Sequence, residues 1–307
     1  MLQKLSLAAS ALAMATAAPA AAQDASGPAL WRVADEDTTI YLFGTVHVLP
    51  QDVEWLQPTV RNALAESDQY VSEIDTSEIP DFDPTSGEAP PPEIIAIAQM
   101  TMQLAALEGE ESLRDLMTED DRAQYEAAMA DLGLPVNAFD QFEPWFASIN
   151  MMQMAMMKAG YDPNDGVEMV LDTMVEGKDR VAFETVEQQM GFFDSMPLQS
   201  QLDFLDQGIE EWNDMGAVEG VFQQMVDEWV AGDADGLASI VNEQMEDPLV
   251  YDILLTQRNS AWAAWLDDRM DQPGTVFVAV GAGHLGGENS VQDFLAERGL
   301  TVERVEY

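Results

Sequence analysis

The sequence predicts an α/β fold: a mixed central sheet built from N- and C-terminal segments, with a large helical insertion between them. Three observations carry this prediction. Runs rich in β-branched and aromatic residues gather near the two chain ends, within 30–75 and 275–305. The stretch between, 93–269, is mostly helical in its apolar spacing and is interrupted by a single strand-like run. Hydrophobic residues make up 47% of the 307 positions, which supports a sizeable core and argues against a disordered chain.

Taken in order, residues 1–22 read as a signal peptide. Lys4 gives the cationic start, 5–17 is apolar and Ala-rich, and Ala20-Ala21-Ala22 supplies the small-residue cleavage pattern. The apolar run is shorter than the ~20 residues that span a bilayer, and no later segment is apolar enough. The expectation is an exported protein, periplasmic or secreted, with no stable membrane insertion and a single domain over 23–307. Strands are predicted at 30–33 and 39–43 around the turn Asp35-Glu36-Asp37, then a helix over 58–67 and a strand over 69–75. Residues 76–92 are acidic and hold Pro80, Pro84, Pro90, Pro91 and Pro92, so they read as an exposed loop following a strand. Helical patterns follow at 113–116, 125–131, 221–230 and 251–270, with one strand at 180–184. The Met-rich stretch 150–157 suits Cu(I) thioether chemistry on paper, but Met is a good helix former that fills irregular cores, and a core or apolar groove is the reading adopted. Near the end, the apolar run 275–280 predicts a strand buried on both faces. A helix over 289–298, Gly299 as its stop and a strand over 300–305 complete a βαβ unit.

The charge narrows the function. Twelve Lys and Arg against 57 Asp and Glu give a formal net charge of −45. A nucleic-acid binder needs a basic face, and these cations do not make one. Anionic membrane surfaces are disfavoured for the same reason. With no cysteine there is no disulfide, thiolate zinc site, iron–sulfur cluster or cysteine nucleophile.

Only two histidines are present, and each is fourth in a Gly-x-x-His segment that ends a predicted strand: Gly44-Thr45-Val46-His47 and Gly281-Ala282-Gly283-His284. In open α/β sheets ligands bind beyond the carboxyl ends of strands, and glycine lets the backbone turn and approach a ligand. Two loops at one sheet edge would then present imidazoles to a shared cleft. Glu73 and Asp75 lie on one predicted strand, where period-2 alternation places both on one face. Glu184 ends another. His47, His284, Glu73 and Glu184 form a plausible ligand set for a divalent ion, with Zn, Mn, Co and Fe all open. Without metal, the same set supplies a general base and an electrostatic partner for a hydrolytic water. Arg258 and Asn259 sit in a helical stretch with Trp262 and Trp265; an Arg among apolar residues needs a carboxylate, and Glu73 or Glu184 would serve. No Gly-x-Ser-x-Gly elbow and no P-loop is present.

These residues resemble the TraB/GumN family, related to the Tiki proteins, and most closely its exported bacterial GumN-like branch. The resemblance runs from Leu30 to Val305. It rests on the segment 41–50 around His47, the strand ending Ser72-Glu73-Ile74-Asp75, Gly166-Val167-Glu168, Gly177-Lys178, Phe183-Glu184-Thr185, Leu254-Leu255-Thr256-Gln257-Arg258-Asn259 with Trp262, and 277–285 around His284. It implies a fold arranged like that of the erythromycin esterases and a haem-binding lipoprotein group. From the Tiki proteins it implies a metal-dependent peptidase that uses His47, His284 and Glu73, with Glu184 as a second carboxylate. The acidic, Pro-rich insertion 76–92 departs from many relatives. Three readings therefore compete. One is a metal-dependent hydrolase of peptidase type. Another is a metal-free hydrolase with His47 as general base. The third is a non-catalytic protein that binds a peptide or small-molecule ligand and regulates.

Overall fold

Large apolar residues alternate along strands from both chain ends, which build one six-stranded sheet together with a single strand from the middle of the chain. The strands are β1 (Leu30–Ala34), β2 (Thr38–Thr45), β3 (Gln69–Ile74), β4 (Asp179–Glu184), β5 (Gly274–Gly281) and β6 (Val302–Arg304). Their spatial order is β4-β3-β5-β2-β1-β6. This computed structural model describes residues 27–307 except 51–52, 77–78, 81, 83–86, 159, 162–165, 213–214, 244 and 246. The expected signal peptide and part of the loop 76–92 lie outside the described residues. The next helix starts at Pro92, the last of the prolines in that loop.

β4, β3, β5 and β2 run parallel, while β1 is antiparallel to both of its neighbours, so the sheet is mixed. The β1–β2 turn is held by Asp35, whose Oδ1 accepts from the Asp37 and Thr38 amides at 3.0 and 2.8 Å, the local bond that suits Asp to turns. The predicted βαβ unit at the C-terminus takes a wider form than the sequence suggested. β6 runs in the same direction as β5 but lies beyond β2 and β1, against β1. The β1–β2 hairpin fills the place beside β5.

Side-chain alternation gives the sheet two apolar faces. Phe43, Tyr70 and Phe277 point to one face, covered by helices Pro58–Glu66, Val167–Asp172, Met215–Ala231 and Ala234–Glu243. Leu42, Val71 and Val278 point to the other, covered by Gln257–Met270 and Val291–Glu297. On the first face Phe43, Trp55 and Trp229 pack together, with centroids 5.8 to 6.4 Å apart. Trp229 Nε1 also donates to the Gly44 carbonyl at 2.9 Å, tying this core to the start of the His47 loop.

The inserted helices form a further apolar cluster that includes Leu113, Tyr125, Met129, Met151, Leu205 and Ile209. The Met-rich stretch lies in helix Pro144–Lys158. Its Met151 is fully buried, while Met152 and Met157 face outward. Among the described residues no helix is long and apolar enough to cross a membrane.

Candidate functional site

Strand register brings the two Gly-x-x-His loops together. β2 and β5 pair in parallel from Thr38↔Gly274 to Thr45↔Gly281, so both loops leave the same sheet edge side by side. They touch closely. A Cβ on Gly44 would stand 3.0 Å from Ala282 Cα, so a glycine is needed there. Beyond this contact the two loops differ. A short 3-10 turn, Ala282–Leu285, folds His284 inward, where it is 5% exposed. His47 stays outside, with 76% of its side chain exposed.

The buried half of the site is organised by Arg258. Its Nε and Nη2 form a bidentate pair with Glu184 at 2.8 and 2.9 Å. Nη2 also reaches Glu73 Oε2 at 2.8 Å. Nη1 meets the Leu254 carbonyl at 3.0 Å and His284 Nε2 at 3.2 Å. All five guanidinium donors are thereby used. Trp262 lies 4.8 Å from the guanidinium carbon and donates its Nε1 to Glu184 Oε1 at 3.0 Å. A π-helical turn, Asp252–Thr256, runs directly into helix Gln257–Met270 and sets the phase at which Arg258, Asn259 and Trp262 enter the site.

Hydrogen bonding fixes the tautomer of His284. Asn259 Nδ2 donates to the Asn289 carbonyl at 2.8 Å, so its Oδ1 faces His284 Nδ1, at 2.5 Å. Nδ1 therefore carries the proton and Nε2 accepts from Arg258. Burial lowers the pKa of His284 to about 3, against the pull of Glu73, so the ring is neutral at ordinary pH. Glu73 is held from two sides: Oε1 accepts from the Gly281 amide at 2.6 Å, and Oε2 from Arg258 and from Gln189 at 3.1 Å. Burial opposes its ionisation. The neighbouring His284, Arg258 and His47, with the Gly281 amide, overcome burial and lower its pKa to about 2. Since His284 is neutral above about pH 3, Arg258, with a smaller contribution from the charged His47, keeps Glu73 ionised at neutral pH.

The outer half is a pair. His47 Nδ1 stands 2.8 Å from Glu168 Oε1. The carboxylate raises the pKa of His47 to about 9, against the desolvating effect of the surrounding protein and the Arg258 charge, and the Glu73 charge adds to the rise. In turn His47 brings Glu168 below the usual carboxylate range, although burial pushes the other way. Local packing explains the pairing. Val167 N donates to Val46 O at 3.0 Å, and a Cβ on Gly166 would meet His47 O at 2.4 Å. Gly166→Ala is therefore expected to cost about 1–3 kcal/mol by forcing the two segments apart. Urea denaturation would measure it; an unchanged midpoint would show that the contact is not tight.

Glu73, Glu184, Arg258, Asn259, Gly281 and His284 thus share one network. Asp75 does not join it. β3 ends at Ile74, alternation stops there, and Asp75 meets Arg180 at 3.4 Å, beside the Tyr70 ring on the opposite face of the sheet. Sequence reasoning named Glu168 only within the resemblance segment Gly166-Val167-Glu168, with no role at the site, and did not single out Gln189. With 57 acids in the chain, no carboxylate stands out by composition.

The sequence profile of the TraB/PrgY/gumN family matches residues 29–304. The chain belongs to the TraB/PrgY/gumN family. It is similar to the uncharacterised protein YbaP of Escherichia coli (strain K12), 23% identical over 257 residues that cover 83% of this chain and 87% of that protein. The uncharacterised protein YbaP of Shigella flexneri matches to the same extent. No solved structure matches the chain.

In this TraB/PrgY/gumN chain three of the four expected ligands, His284, Glu184 and Glu73, already have their donor atoms engaged, while His47 stands outside their cluster. Arg258 occupies the lone pair of His284 Nε2, both oxygens of Glu184 and Oε2 of Glu73. Among the described residues no group of three or more His, Cys, Asp or Glu is arranged to hold a metal ion. The guanidinium stands where these side chains converge, and as arranged they do not fit a metal.

Proposed function

We propose that this member of the TraB/PrgY/gumN family is a hydrolase in which His47 activates the attacking water. The observation that carries the reading is the His47–Glu168 pair at 2.8 Å. A carboxylate 2.8 Å from Nδ1 favours positive charge on the ring, and Nε2, on an exposed ring, is left for water or substrate. When Nε2 takes a proton from water, Glu168 and the fixed, ionised Glu73 stabilise the imidazolium. The imidazolium then protonates the leaving group. Arg258 has no donor left for substrate. It works by holding Glu73 and His284 in place.

The test is turnover of a panel of activated esters and fluorogenic peptides by the mature protein, with and without chelator. Turnover that survives chelation is expected. Turnover seen only after adding Zn, Mn, Co or Fe would replace this reading with the metal-dependent peptidase that the resemblance implies. Saturable ligand binding with no product under any of these conditions would favour the regulatory binding protein.

A further inference from the structure

We propose that the outer face of helix Pro92–Leu104 docks a cationic amphipathic segment of a partner protein or peptide. The helix reads Pro-Glu-Ile-Ile-Ala-Ile-Ala-Gln-Met-Thr-Met-Gln-Leu. Glu93 is its single charge in 13 residues, and none of its residues is fully buried. Ile95 and Met102 are 42% and 44% exposed. They lie seven positions apart, on one face, with the exposed Ala98 and Gln99 between them. The inner side of the helix packs on Val186–Asp194 and contributes Leu104 to an apolar cluster with Trp145. The outer stripe has no covering element among the described residues.

Charge identifies the occupant. The chain carries −45, and Glu93 stands in the first turn of the helix itself. A second copy would bring another −45 to the same place and is repelled. An anionic bilayer is repelled likewise. A segment with an apolar stripe and flanking Lys or Arg satisfies both features, in the helix-in-groove manner of amphipathic partners. The position also matters. Helix Val186–Asp194, beneath the stripe, sends Gln189 to Glu73 and places Phe192 5.5 Å from the Arg258 guanidinium. A segment docked here lies one helix away from the candidate site. The proposal does not depend on the hydrolase reading, because it is tested by binding alone.

The experiment is a fluorescence-anisotropy titration with a short labelled helical peptide that has a Leu stripe and Lys flanks. Two controls accompany it: the same stripe with Glu flanks, and the same Lys flanks with a Ser stripe. The Lys–Leu peptide is expected to bind at least about tenfold more tightly than either control. Its binding should weaken as salt is raised. Ile95→Gln with Met102→Gln leaves the net charge unchanged and should lose about tenfold or more. Met157→Gln, on another exposed methionine, should lose nothing, and thermal melts would confirm that each variant folds. Equal binding by wild type and the double variant would overturn the proposal. So would equal binding of the Ser-stripe peptide, preference for anionic vesicles, or a dimer in light scattering that the double variant abolishes.

Discussion

Replacing Arg258 with alanine is expected to destabilise the fold by roughly 3–5 kcal/mol, the usual consequence of stripping the partner from buried charge. Two carboxylates depend on this guanidinium: Glu184, 6% exposed in its side chain, and Glu73, 14% exposed. Alanine would leave both without their cation, free the Leu254 carbonyl and remove the donor facing His284 Nε2. Arg258→Lys should fall between, since a single ammonium cannot reproduce a bidentate pair and three further bonds. The pH dependence distinguishes lost charge from lost packing. In the wild type Glu73 has a folded pKa of about 2, below the ordinary carboxyl value of 4.5. Its contribution is therefore fully present above 4.5 and is lost as pH falls toward 2. In the alanine variant burial acts on Glu73 unopposed by Arg258, so its pKa rises and protonation relieves the penalty. The stability gap between variant and wild type should narrow as pH falls from 7 to 4. Urea denaturation at several pH values measures this. A gap that is constant across the range would mean that Arg258 stabilises through packing with Trp262 and Phe192 rather than through charge.

Much of this architecture is legible in the sequence because of where strong local signals fall. The run Val276-Phe277-Val278-Ala279-Val280 admits little besides a strand buried on both faces, and it lies at the centre of the sheet, between β3 and β2. The two histidines each follow a glycine at the end of such a run, so topology carries both to one edge. Arg258 is conspicuous because cations are rare in this chain, and its need for a carboxylate follows from burial. Other features are set by tertiary structure alone. The place of β6 beside β1 depends on strand order, which no local pattern encodes. Asp75 leaves the Glu73 face because β3 ends one residue earlier, and strand ends are poorly marked in sequence. Glu168 pairs with His47 because Gly166 lets two backbones meet, a contact between residues 119 positions apart in the numbering. The inward turn of His284 and the outward placement of His47 are equally invisible from two identical Gly-x-x-His spacings. In the hydrolase we propose, that difference gives one ring a structural part and the other a chemical one.

Removing the His47 imidazole, as in His47→Ala, is expected to lower turnover by about 10²–10⁴, the usual contribution of a positioned general base. Stability should fall less than in Arg258→Ala, because the ring is 76% exposed and the Glu168 it leaves unpaired keeps 30% of its side chain in contact with water. His284→Ala makes the contrast: it removes a neutral, buried ring packed 4.4 Å from Trp262, so it should reduce stability as well as turnover. The pH profile tests the assignment more sharply than either loss. A base works only when deprotonated. With its pKa raised from 6.5 to about 9 by Glu168, His47 is largely imidazolium at pH 7, and turnover should climb with pH through the interval between those values. Glu168→Gln keeps the shape of the partner and removes its charge. The rise should then move down toward 6.5, so the variant reaches its plateau at lower pH. That plateau should be lower than that of the wild type, because a less basic imidazole, without the carboxylate to stabilise its charged form, extracts the proton from water less readily. Initial rates from pH 5.5 to 10 on the best substrate of the panel decide the matter. A profile that Glu168→Gln leaves in place would remove His47 from the role of base. The titrating group would then have to be sought elsewhere at the sheet edge, with His47 left to bind substrate.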